Sequence, residues 1–132
     1  DASVLIQSLI EREQEQGIPV SRIILAGFSQ GGAIALHCGL NYPRPLAGIM
    51  ALSTYLPQCT VLGSNCATPL FMAHGQQDDV VAPSYGKLSC ERLQNAGYEV
   101  SWHEYPMAHS VCMEEIGDIK TWLLSCLPNS RL

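Results

Sequence analysis

The chain has 132 residues, a length that fits one domain, and 47% of its residues are hydrophobic against 14% charged. That balance provides more core material than an ordinary soluble domain has. The net charge of −5 and the seven scattered basic residues exclude a basic stripe of the kind that binds nucleic acid. No apolar run approaches the roughly 20 residues that cross a bilayer. We therefore expect a soluble protein with no nucleic-acid partner and no transmembrane segment.

Six cysteines lie at irregular spacing without a C-x-x-C pair, and no two histidines have the spacing of a zinc site. This pattern favours reduced, packed thiols in a cytoplasmic protein that uses no metal or other cofactor. The alternative is a disulfide between Cys59 and Cys66, or a secreted setting.

The first elements are predicted from hydrophobic periodicity. Residues 1–16 have the spacing of an amphipathic helix, which Gly17 ends. The run RIILAGF (residues 22–28) lacks polar alternation and is typical of a parallel strand covered on both faces. A helix over residues 30–41 follows with almost no loop. The apolar residues that the first helix places on one face are Ala2, Leu5, Ile6, Leu9 and Ile10.

The rest of the chain continues the alternation of strands and helices. Further strands are predicted at 46–52, 69–73 and 98–105, the last nearer a sheet edge because its pattern alternates. Helices are predicted at 84–95 and 111–127. Such an order implies an α/β protein with a parallel sheet and helices on both faces. Because the chain begins at a crossover helix and strand 22–28 has the character of a central strand, we expect further strands outside this sequence.

A G-x-S-x-G motif stands at residues 27–31, with Ser29 at its centre. The pattern alone is weak, but here a buried strand turns directly into a helix. A serine in that turn is held at the tip of the sheet, beside a helix N-terminus that favours developing negative charge. The alternative is an ordinary glycine-rich turn with a solvated serine.

A nucleophilic serine needs a base and an acid, which follow it in the order acid then histidine in this kind of fold. The segment HGQQDD (residues 74–79) follows the third strand, and His109 follows the fourth. Because carboxyl ends of parallel strands meet at one edge, we predict that Ser29, His109 and either Asp78 or Asp79 lie together.

The other three histidines are weaker candidates for the base. His37 falls within a helix, His103 falls within a strand, and His74 precedes the acid instead of following it.

The segments GFSQGG and HGQQDD and the His-Ser pair after a strand resemble the phospholipase/carboxylesterase family of α/β-hydrolases, which includes acyl-protein thioesterases. The resemblance covers residues 18–127. It implies an α/β-hydrolase fold whose N-terminal strands are absent from this chain, so that residues 1–132 form a single partial domain carrying the whole triad. In that family the acid is the last residue of H-G-x-x-D, which falls on Asp78.

The resemblance also implies a reaction: hydrolysis of carboxylic esters or thioesters through an acyl-enzyme on Ser29. The backbone N–H of Gln30 would be one oxyanion-hole donor. The second donor normally comes from a loop after an earlier strand, which this chain lacks. Losing one such donor costs about a hundred- to a thousandfold in rate.

The substrate contacts are less defined than the triad. The segment STYLP (residues 53–57) resembles the family's loop beside the acyl group, and Leu56, Val81 and Met107 are candidates for an apolar wall, with core packing an equal alternative for Val81. Acylated proteins and small acyl esters, including lysophospholipids, are the substrates implied, with short to medium chains. Two other functions stay open: a non-catalytic hydrolase-fold domain, and a hydrolase of peptides or small cyclic esters.

Overall fold

A computed structural model describes residues 2–128, which contain four α-helices, four strands and one 3-10 turn. Every predicted element is present, with small shifts at its ends. In chain order the elements are α1 (Ala2–Glu15), the 3-10 turn (Val20–Arg22), β1 (Ile24–Phe28), α2 (Gln30–Leu40), β2 (Gly48–Leu52), β3 (Leu70–Gly75), α3 (Pro83–Asn95), β4 (Val100–Tyr105) and α4 (Met113–Cys126).

The four strands form one parallel sheet in the order β1-β2-β3-β4. Phe28 at the end of β1 lies opposite Leu52 of β2, and Leu52 lies opposite Ala73 of β3. The carboxyl ends of the strands therefore reach the same edge of the sheet. The predicted α/β class and the edge position of β4 are both confirmed within the described residues.

Helices cover both faces of the sheet and divide the core in two. On one face, the first three helices pack over buried aliphatic residues such as Leu36 and Ile49. On the other face, Trp122 of α4 packs against Phe71 in a tilted arrangement with ring centroids 5.5 Å apart. Gly48 makes room for this contact, because a Cβ there would lie 2.6 Å from the Trp122 ring.

Strand β1 is less covered than the sequence pattern predicts. Among residues 2–128 it pairs with β2 alone, and Ala26 and Phe28 are exposed on the face that carries α4. Coverage of β1 on both faces is therefore not achieved by the described part of the chain. Further strands beside β1 stay a prediction.

Helix α1 corrects one expectation. Ile6 and Ile10 pack into the core as predicted, but Leu5 is 60% exposed and Leu9 is 46% exposed. Ala2 is exposed as well. The predicted inward face is therefore wrong at these three residues, because α1 packs mainly on α2 along a narrow stripe.

Two further features concern the setting of the protein. All six cysteines are free thiols in the structure, so Cys59 and Cys66 are not bridged. Within residues 2–128, no helix has the length and apolar character needed to pass through a membrane.

Candidate active site

Ser29 occupies a strained turn between β1 and α2. Its φ of 58° and ψ of −123° lie in a region that non-glycine residues rarely adopt, at a cost of about 1–3 kcal/mol. Strand β2 and the residues after it hold this turn: the Ser29 N–H donates to the Leu52 carbonyl at 2.8 Å, and the Thr54 hydroxyl donates to the Ser29 carbonyl at 2.5 Å. The hydroxyl of Ser29 is thereby fixed at the carboxyl edge of the sheet.

Two glycines permit this turn. A Cβ at Gly27 would lie 2.2 Å from the Gly31 carbonyl oxygen, and a Cβ at Gly32 would lie 2.7 Å from Cγ2 of Thr54. Gly31 itself faces open space. The close approach of strand and helix therefore depends on Gly27 and Gly32.

Asp78 follows β3, and its side chain is fully buried. Its Oδ1 accepts hydrogen bonds from the backbone N–H groups of Val80 and Val81, both at 2.9 Å. Its Oδ2 accepts from Nδ1 of His109 at 2.7 Å. Burial alone would raise the pKa of Asp78, but the hydrogen bonds from His109, Val81 and Val80 hold that pKa below its ordinary value. The group is a carboxylate at neutral pH.

His109 connects this carboxylate to the serine. Because Nδ1 donates to Asp78, Nε2 is left as an acceptor, and it lies 3.0 Å from Oγ of Ser29. The Phe28 ring packs beside the imidazole, with centroids 4.7 Å apart. Gly75 lets the His109 loop approach, because a Cβ there would lie 2.2 Å from the Ala108 carbonyl oxygen.

The structure thus brings together the three residues predicted from the ends of β1, β3 and β4. Of the two candidate carboxylates, Asp78 contacts His109 and Asp79 is exposed. The arrangement can move a proton from a serine hydroxyl to an imidazole that a carboxylate orients. Within residues 2–128, no three His, Cys, Asp or Glu side chains are placed to hold a metal ion.

Gln30 and Leu56 are the predicted oxyanion donor and one of the predicted substrate contacts. Gln30 is the first residue of α2, so its N–H has no acceptor within the helix. Leu56 is buried and lines a cleft of about 420 Å³ between the β2–β3 loop and α3, together with the exposed side chains of Tyr55, Tyr85 and Leu88.

Val81 and Met107 are half-buried. The backbone of Val81 stabilises the acid loop, and the backbone of Met107 joins that loop to the one that carries His109. The Val81 N–H donates to Asp78, and the Met107 carbonyl accepts from the N–H of Gln77 at 3.0 Å. Part of the Met107 side chain packs against the core beneath α4. A contact of either side chain with substrate stays a prediction.

Two residues of the site were missed by the sequence reasoning. Thr54 supports the serine turn, and only its place directly after a buried strand could have suggested it. His74 is buried beside Asp78, with Nε2 2.8 Å from the Val81 carbonyl oxygen and 3.4 Å from Oδ2 of Asp78. The sequence did indicate this position, because His74 is the first residue of the HGQQDD segment that contains the acid.

The parallel sheet, the strained serine between strand and helix, and the order serine, aspartate, histidine define an α/β-hydrolase. Solved structures agree: SOBER1 of Arabidopsis thaliana superimposes with a TM-score of 0.83 at 27% sequence identity, over 95% of this chain and 62% of that one. Residues 1–127 match the phospholipase/carboxylesterase family, and the chain belongs to that family.

Two relatives share the name acyl-protein thioesterase 1. The protein from Neurospora crassa is 43% identical over 91% of this chain and 52% of its own length. The protein from Gibberella zeae is 40% identical over 92% of this chain and 55% of its own length. This chain therefore spans about half the length of these relatives. The resemblance inferred from the sequence motifs is confirmed.

Proposed function

We propose that this chain is the triad-bearing part of a cytoplasmic serine hydrolase that cleaves carboxylic esters or thioesters of short to medium acyl chains. The observation that carries the proposal is the continuous path from Oγ of Ser29 to Nε2 of His109 at 3.0 Å and from Nδ1 of His109 to Oδ2 of Asp78 at 2.7 Å. Membership of the phospholipase/carboxylesterase family supports the same reaction class.

In the proposed reaction, Oγ of Ser29 attacks the acyl carbonyl carbon while Nε2 of His109 takes the hydroxyl proton. The tetrahedral intermediate collapses as His109 returns that proton to the leaving alcohol or thiol, which leaves an acyl ester on Ser29. His109 then activates a water that releases the carboxylic acid and restores the serine. Asp78 stays charged throughout and stabilises the imidazolium.

The backbone N–H of Gln30 is the proposed donor to the oxyanion, because it opens α2 directly beside Ser29 and the helix dipole favours negative charge there. A second donor is expected from a loop outside this chain. The further strands that precede this chain in the proposal would also pair with the open edge of β1 and complete the domain.

The proposed substrates are acylated proteins and small acyl esters, lysophospholipids among them. The names of the two fungal relatives favour a thioester on a protein. The cleft beside Leu56 offers an apolar surface for part of such a substrate, since Tyr55, Tyr85 and Leu88 line it. Val81 and Met107 are the other proposed wall residues, nearer the carboxylate and the base.

A fluorophosphonate probe tests the proposal on the complete protein, meaning these residues together with the expected further strands. The probe should label Ser29, and Ser29→Ala should remove both the label and the turnover of a nitrophenyl ester, by about a millionfold if the triad acts as a unit. Labelling that persists on another residue would refute the assignment.

A substrate panel separates the remaining alternatives. Turnover of nitrophenyl esters and acyl thioesters without turnover of peptides supports the proposal. Preferential cleavage of peptides or cyclic esters would favour the other hydrolase class, and no turnover of any member would favour a binding domain.

A further inference from the structure

Oδ2 of Asp78 lies beside two imidazole rings. Nδ1 of His109 is 2.7 Å away and Nε2 of His74 is 3.4 Å away. His74 lies in β3 and is buried, so its side chain is not accessible to a substrate. The proposed mechanism uses His109 and gives His74 no role.

The proton on His74 can be assigned from its partner. The Val81 carbonyl oxygen, 2.8 Å from Nε2, only accepts hydrogen bonds. Nε2 therefore carries the hydrogen and donates it to Val81. The longer separation from Oδ2 of Asp78 makes that contact an electrostatic one and not a full hydrogen bond.

This hydrogen bond closes the loop that contains the acid. The Val81 carbonyl accepts from His74, while the Val81 N–H donates to Oδ1 of Asp78. The backbone of Val81 thus connects His74, in β3, to the carboxylate of Asp78 through two hydrogen bonds. With Oδ1 held by Val80 and Val81, Oδ2 is directed at His109.

Helix α3 holds the His74 ring in this position. A Cβ at Gly86 would lie 2.5 Å from Nδ1 and 3.0 Å from Cε1 of His74, and 3.2 Å from the Trp102 ring. The absence of a side chain at Gly86 is therefore what lets α3 pack directly on the imidazole. This close packing supports the ring position in which Nε2 meets the Val81 carbonyl.

We propose that His74 is a positioning residue for the acid: its Nε2–H fixes Val81, and through Val81 it fixes the orientation in which Asp78 meets His109. The inference rests on the proposed function, because it deepens the role of the same site. His74 contacts neither the serine nor the expected position of the acyl carbon, so it acts only through Asp78.

Removing the Nε2–H donor of His74 loosens the loop that contains Asp78 and Val81. The Asp78 carboxylate then spends part of its time turned away from His109. The imidazolium that forms in the reaction loses its anionic partner in those molecules. We expect kcat to fall about 10- to 100-fold, the loss of one hydrogen bond to a charged network, with KM nearly unchanged.

The test uses the complete protein and a nitrophenyl ester, with rates divided by the number of sites that a fluorophosphonate labels. His74→Phe keeps a ring and removes the donor, whereas His74→Gln keeps an N–H that can reach Val81. His103→Phe is the matched control, since His103 lies on the neighbouring strand opposite Ala73 and stacks on Phe71. The expected result is a loss of kcat at nearly unchanged KM in His74→Phe, substantial recovery of kcat in His74→Gln, and wild-type behaviour in His103→Phe.

Equal kcat per labelled site in His74→Phe and wild type would overturn the inference, even if the variant melts at a lower temperature. Equal impairment of the Gln and Phe variants would overturn it as well. Should His74→Phe fail to fold, Gly86→Ala tests the same point by pressing on the ring, and it should lower kcat at nearly unchanged KM. An unchanged kcat in a folded Gly86→Ala protein would count against the inference.

Failure of the inference and failure of the proposed function are distinguishable. A protein whose turnover survives Ser29→Ala refutes the function. A protein whose turnover requires Ser29 but ignores His74 refutes only the positioning role.

Discussion

The two halves of the site differ in how fully this chain surrounds them. On the acid and base side, the Asp78 side chain is 0% exposed and His109 is 16% exposed, and each ring nitrogen and carboxylate oxygen has a partner. On the nucleophile side, Phe28 is 39% exposed and β1 has a single neighbour among the described strands. The acid and base are positioned by contacts within this chain, whereas the strand that leads to the serine has a neighbouring strand on the β2 side only, within residues 2–128.

After removal of the serine itself, the largest expected effect is on the acid and base side. Asp78→Asn should lower kcat by about ten thousandfold, because an amide in this place favours the wrong tautomer of the histidine. Asp79→Asn should leave kcat within a few-fold of wild type, since Asp79 is exposed. Steady-state kinetics on an ester substrate measure both variants. The reverse ranking would move the acid to position 79.

An intermediate effect is expected from the nucleophile side. The isolated 132-residue chain should be unstable or should turn over ester about a hundred- to a thousandfold more slowly than the complete protein, the effect of losing one oxyanion donor. Thermal unfolding and turnover per labelled serine, measured on both proteins, separate instability from a slow reaction. Robust turnover by the short chain would show that the second donor is already within it.

The features that the sequence predicted correctly depend on local patterns and on the rules of strand connection. The order of strands and helices and the meeting of Ser29, Asp78 and His109 could be predicted because periodicity and the parallel connection place strand ends at one edge. The periodicity that identifies each strand and helix involves only residues near one another in the chain.

The misses depend on contacts between distant segments. Leu5 and Leu9 have the spacing of an inward face, but the area of α2 available to α1 decides which apolar residues are covered. His74 could be read as part of a motif, yet its role required knowing that Gly86, in a separate helix, leaves space for its ring. Spacing along the chain contains neither fact.

The smallest effect is expected at Thr54, which supports the serine turn from the loop after β2. Thr54→Val removes the hydroxyl that donates to the Ser29 carbonyl but keeps the methyl group against Gly32. That carbonyl still accepts from the N–H groups of Gly32 and Ala33 at 3.0 and 3.2 Å, so no buried acceptor is left unpaired. We expect a loss of about 0.5–1.5 kcal/mol in the stability of the turn, seen as a 2- to 10-fold lower kcat.

Thr54→Ser is the matched control, because it keeps the hydroxyl and removes the methyl group. If the hydroxyl holds the strained φ of Ser29, the Ser variant should retain more activity than the Val variant. If packing against Gly32 is what matters, the order reverses. Higher activity in Thr54→Ser would show that the hydrogen bond from Thr54 compensates part of the strain at Ser29. This bond acts on the side of the site where β1 has only β2 as a neighbouring strand within residues 2–128.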